Sequence, residues 1–124
     1  MNKEVQVINY QIVLSILLII EIIVFIVLNY NTALDLENKK PIFNKKTTLL
    51  ISKYRNLTII VLSILFLYLN YVNKDIAKEK NENLKSYDLQ ILASYFTVFA
   101  SFITYYVVIN SEKETVSDIE NPIN

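Results

Sequence analysis

Residues 12–28 read IVLSILLIIEIIVFIVL, and fifteen of these seventeen residues are Ile, Val, Leu or Phe. A run of this length and character predicts a membrane-spanning helix, because about 20 helical residues cross a hydrocarbon core about 30 Å thick. Glu21, near its middle, is the one feature that opposes insertion. An acid at a helix centre costs about 2.5–3.5 kcal/mol on the insertion scale, while each aliphatic residue contributes roughly 0.3–0.6 kcal/mol in favour. Fifteen favourable contributions outweigh one penalty, so the helix is expected to insert with Glu21 inside the bilayer. A cleaved signal peptide is the competing reading. Its apolar region is about 7–15 residues long and ends at small residues. Here Asn29-Tyr30-Asn31-Thr32 follows with no small-x-small pattern, so the run reads as a retained first helix.

Two further apolar runs follow. Leu57 to Leu69 is short for a span, and Tyr54, Tyr68 and Tyr71 are expected to help fill it at the headgroup level. Leu89 to Ile109 is long enough without help. The expected fold is an all-α membrane protein: three transmembrane helices in a small bundle with short polar loops. The spans cover about residues 8–30, 54–72 and 89–109 of a domain 1–110. Pro41 interrupts the first loop, 31–46, which ends in the basic stretch KKPIFNKK. Thr47 or Thr48 is the expected N-cap of the second helix, and Ser86 or Asp88 that of the third. The second loop, 73–87, is strongly polar, and Lys78 and Glu82 are spaced to extend helix two. Residues 111–124 form an acidic tail that is expected to be partly disordered, since it has too few apolar residues to build a core.

Composition excludes much. Lys and Arg balance Asp and Glu at zero formal charge, so no basic surface for nucleic acid is expected. The chain has no Cys, no His and no Gly. Thiolate chemistry, the commonest general base and the Gly-rich phosphate loops are therefore unavailable. A non-enzymatic protein without a cofactor or metal is the expectation.

Helix three carries the clearest pattern. Gln90, Ser94, Thr97, Ser101 and Thr104 step by four and three and so share a stripe, widened by Ala93 and Ala100. Tyr95, Phe99, Phe102 and Tyr106 follow the same stepping on another face. Small residues mark helix contacts in lipid. The hydroxyl stripe is thus expected to pack against helices one and two, to line a wet pathway between copies, or to meet another protein. On helix two, Asn56, Ser63 and Asn70 recur every seven residues and share one face.

Glu21, Ser63, Ser94, Thr97, Ser101 and Thr104 are the candidate intramembrane polar contacts. Glu21 is expected to meet the hydroxyl stripe of helix three, because Lys53 and Arg55 are read as snorkelling to the interface. A partner subunit and proton or cation transfer stay open for it. Lys39, Lys40, Lys45, Lys46, Lys53 and Arg55 are the candidate lipid-headgroup contacts. The first loop and C-terminus hold seven Lys and Arg, the N-terminus and second loop five, which leans the former pair cytoplasmic in the cell membrane.

The first functional expectation is an accessory subunit that packs into a larger membrane complex or a homo-oligomer. The second comes from coarse layout alone. In length, three spans and N-out, C-in orientation the chain resembles class I phage holins, which implies a pore-forming or membrane-permeabilising role, although the acidic tail departs from the basic tail of that layout. A proton- or cation-conducting component using Glu21 is the third.

Overall fold

The computed structural model describes residues 2–120, with only the backbone described for 112 and 114–120. Three helices account for almost all of it: α1 (Lys3–Leu36), α2 (Lys45–Glu79) and α3 (Lys85–Glu120). Among the described residues there is no strand. All three helices are long and apolar enough to cross a membrane. The protein is an all-α membrane protein built as a three-helix bundle.

Each helix outruns its apolar segment, because nothing in the flanking polar sequence stops a helix already nucleated. Asn2 caps α1, its side chain accepting from the Glu4 N–H. Asn44, rather than Thr47 or Thr48, caps α2, accepting from the Thr47 N–H at 2.7 Å. At the start of α3 the Asn83 side chain accepts from the Lys85 N–H at 2.9 Å, where Ser86 or Asp88 was expected to cap; Asp88 instead lies in the first turn. The helices also stop without glycine. Asn38 and Asn81 take left-handed backbone angles, with φ of 59° and 57°. Beyond them the Lys39 N–H reaches back to Leu34 O, and the Glu82 N–H to Ala77 O. Asn tolerates this conformation better than other side chains, so it closes helices in a chain that has no Gly.

The connections shrink accordingly to 37–44 and 80–84. At the other end α3 continues as helix through Glu120, across residues assigned on composition to a disordered tail. Glu and Lys are good helix formers, and no Pro occurs between Lys85 and Asn121. Residues 121–124 of that tail lie outside the described residues.

The helix at the centre is α2. Within the bundle, 28% of its apolar window is buried, against 11% for α1 and α3. Among the described residues α1 and α3 each pack on α2 but not on one another. The seams follow steps of seven. Val7 and Leu14 of α1 form the core cluster with Leu62 and Leu69 of α2, and Phe66, Val72 and Ile76 pack against it. One residue later on α2, about 100° around the helix, Ser63 and Asn70 turn to α3. The partner residues descend on one helix as they ascend on the next, so neighbouring helices are antiparallel. The remaining surface is apolar, including Ile12, Ile16, Ile19, Ile23 and Ile26 of α1, Val61 of α2 and Phe99 and Ile103 of α3. Such a surface suits lipid, not water.

Candidate functional site

The polar groups inside the bundle form two separate sets, one on each side of α2. The first joins α1 to α2. Glu21 follows Val7 and Leu14 in the seven-residue step, which carries its side chain onto the seam. Arg55 precedes Leu62 and Leu69 by the same step on α2. The two meet. The Arg55 Nε donates to the Glu21 backbone carbonyl at 3.0 Å and lies 3.9 Å from the carboxylate Oε2. Both side chains are largely withdrawn, 16% exposed for Arg55 and 14% for Glu21. The Phe25 ring, one turn along α1, lies under the guanidinium with its centroid 4.7 Å from Cζ. A ring face attracts a cation, more so where water is scarce.

This differs from the expected pairing: Glu21 is met by Arg55 and not by the hydroxyl stripe of α3, and Arg55, read as a headgroup contact, turns its guanidinium inward against α1. The physical reason is side-chain reach. Arg55 stands just before the apolar run of α2, but its long side chain extends over Phe25 to the Glu21 carbonyl. This sets the guanidinium beside an apolar stretch of α1, where an inward acid is the better partner. The match is incomplete. Oε2 of Glu21 is buried yet makes no hydrogen bond, because 3.9 Å suits an ion pair but is too long for one.

The second set joins α2 to α3. Ser63 Oγ lies 3.2 Å from Ser101 Oγ, and both residues are buried. Nearer the second connection, the Asn70 amide donates to Ser94 Oγ, and one residue on, Tyr71 and Tyr95 share a hydroxyl hydrogen bond of 2.6 Å. Their rings meet edge to face, 6.4 Å apart. Lys74 and Asp88 close this seam at 2.7 Å. Each serine hydroxyl also lies within reach of its own helix. Ser94, which accepts from Asn70, donates to Gln90 O. Of Ser63 and Ser101, one can donate to the other and the second to its own carbonyl, Ile60 O or Val98 O.

The stripe on α3 is thus divided. Ser94 and Ser101, seven apart, sit on the seam with α2. Thr97 and Thr104, also seven apart, lie on an exposed flank with Gln90, and their hydroxyls donate to Ala93 O and Ala100 O. Phe99, Phe102 and Tyr106 point away from the bundle. Between the three helices lies an open hollow of about 290 Å³, lined by Leu18, Ser63, Phe66, Ser94 and Thr97.

A third polar contact was missed in the sequence. Asn31, read there as a loop residue, is buried in the last turns of α1. Its Oδ1 accepts from the Phe43 N–H at 2.8 Å, and its Nδ2 donates to Phe43 O at 3.3 Å and Thr48 Oγ1 at 3.2 Å. One amide thereby pins the connection 37–44 to both helices it joins. The signal was available: Asn31 stands three residues after Leu28 on the seam side of α1.

Among the candidate headgroup contacts, Lys39, Lys40, Lys45 and Lys46 are exposed around that connection, with Lys39 paired to Glu37 at 3.1 Å. Lys53 is half-buried on α2. At the opposite end, Glu4 and Lys80 pair across the bundle, and this hydrogen bond holds the Lys80 ammonium above its ordinary pKa. No protein-family model, curated protein or solved structure matches the chain.

Proposed function

We propose that the protein is a small, non-enzymatic membrane protein that packs as an accessory subunit into a larger membrane complex or a homo-oligomer. One observation carries the reading. The bundle is open on one side, because α1 and α3 share only α2 and leave the hollow of Leu18, Ser63, Phe66, Ser94 and Thr97 between them. Next to it, Thr97 and Thr104 present small side chains that permit close helix approach. These two are the proposed intermolecular contacts. Glu21, Ser63, Ser94 and Ser101 direct their polar groups within the chain and serve to hold the docking face in shape. The lack of Cys, His and Gly supports a non-catalytic role.

The same reading places the protein in the cell membrane, in contact with lipid. Loop 37–44 and the C-terminal end of α3 share one end of the bundle and are assigned to the cytoplasm. A holin-like pore is the runner-up and needs Gln90, Thr97 and Thr104 to line it, since Ser94 and Ser101 face α2. A conducting role for Glu21 comes third.

The test is purification of the full chain in mild detergent, with mass measurement of the intact assembly and identification of what travels with it. A stoichiometric partner or defined oligomer that is lost on Thr97→Phe supports the proposal. A clean monomer contradicts it. Loss of membrane potential on expression would favour the pore instead.

A further inference from the structure

At the end of the bundle opposite the N-terminus, connection 37–44 folds over the last turns of α1 and the first turns of α2. It leaves an open hollow of about 360 Å³. Two charges of opposite sign line it, Asp35 and Lys45, together with Thr32, Asn44, Pro41 and Phe43. Among the described residues neither charge has an ion-pair partner, whereas the neighbouring Glu37 is held by Lys39. The Thr32 hydroxyl hydrogen goes to Leu28 O, so this side chain offers the hollow only acceptor lone pairs. The Asn44 Oδ1 is already used by the Thr47 N–H.

Depth decides what reaches such a site. The apolar run of α1 ends at Leu28. Thr32 and Asp35 lie about 6 and 10 Å beyond it along the helix, at the level of lipid headgroups.

We propose that this hollow seats one zwitterionic phospholipid headgroup bearing a primary amine, phosphoethanolamine, supplied by the surrounding bilayer. The phosphate meets Lys45, and the ammonium meets Asp35 and Thr32. Charge complementarity selects it. An anionic headgroup without an amine leaves Asp35 facing a phosphate. A choline headgroup balances the charge but has no N–H to give to a carboxylate and a hydroxyl that both accept. The surrounding Lys39, Lys40 and Lys46 attract any phosphate and do not discriminate. The inference requires only that the bundle is embedded in a bilayer, and it stands apart from the subunit reading.

The test is native mass spectrometry of the full chain released from bilayers of equal phosphatidylethanolamine, phosphatidylcholine and phosphatidylglycerol. The ethanolamine lipid is expected to be retained over either other lipid by roughly fivefold, the scale that one charge-assisted hydrogen bond supports in a half-solvated site. Asp35→Asn should bring the three lipids to parity or favour the glycerol lipid, and Lys45→Gln should lower retention of all three. Both positions are exposed, and circular dichroism verifies that the helices are intact. Equal retention of ethanolamine and choline lipids would overturn the proposal, as would an ethanolamine preference that survives Asp35→Asn. Dominance of phosphatidylglycerol in the parent would also overturn it and assign lipid binding to the lysines alone.

Discussion

Toward α1, helix α2 presents Leu62 and Leu69 and a single charge, Arg55; toward α3 it presents Ser63 and Asn70, with Tyr71 beside them. One seam is apolar packing around one ion pair. The other is a ladder of neutral polar groups, closed at its polar end by the Lys74–Asp88 pair. The difference lies in where the energy is concentrated. A withdrawn charge that loses its partner is costly. A serine that loses a serine turns back to its own helix carbonyl, and hydrogen bonds between helices in lipid average only about 0.6 kcal/mol. The α1–α2 seam should therefore fail at one residue, and the α2–α3 seam only by degrees.

The largest expected effect is at Arg55. Arg55→Leu strands the Glu21 carboxylate and should destabilise α1–α2 association by about 3 kcal/mol, measured by reversible unfolding in bicelles. The double variant Glu21→Leu/Arg55→Leu should recover most of that loss, since replacing a buried pair with apolar residues is often neutral or stabilising. If Arg55→Leu alone matches the parent, the pair has no structural role.

Next comes Asn31→Ala, which leaves the part-buried Phe43 N–H without its acceptor and should cost about 1–3 kcal/mol. The diagnostic readout is local: limited proteolysis within 37–44 should accelerate while α3 stays protected. Ser63→Ala and Ser101→Ala should each cost about 0.6 kcal/mol by the same unfolding measurement, and the double variant little more than one alone. A loss near 3 kcal/mol from either serine would erase the contrast between the seams.

The smallest effect concerns exposed Lys80 and half-buried Glu4. The Glu4 hydrogen bond raises the Lys80 pKa, so its stabilisation is fully present below the ordinary lysine value and disappears as pH rises through the higher folded value. At pH 7 a surface pair of this kind is barely measurable in stability. An NMR titration of Lys80 reads it directly: Glu4→Gln should lower the pKa back toward the ordinary value near 10.5.

The architecture was legible because three apolar runs need no tertiary information to be recognised as spans. The α2–α3 seam was half legible. Stepping by four and three took in Ser94 and Ser101, which meet α2, together with Thr97 and Thr104, three residues on and about 60° around the helix. Only the partner helix decides which of two adjacent seven-residue registers faces inward. The α1–α2 seam was misread for a different reason. Arg55 was read from its place at the edge of its own apolar run, whereas its long side chain reaches across to Glu21 and Phe25 of the neighbouring helix. Asn31 escaped notice because its burial depends on a connection that folds back over it. Helix ends were placed too early because polar residues mark the edge of lipid, not the edge of a helix.

The central claim is that Glu21 is held across the α1–α2 seam by Arg55 and not by the hydroxyls of α3. Two double-mutant cycles on the full chain in bicelles test it, one pairing Glu21→Gln with Arg55→Gln and the other Glu21→Gln with Ser101→Ala. Coupling of about 1 kcal/mol or more is expected in the first, and none beyond the roughly 0.3–0.5 kcal/mol of ordinary non-additivity in the second. Coupling to Ser101 with none to Arg55 would contradict the account.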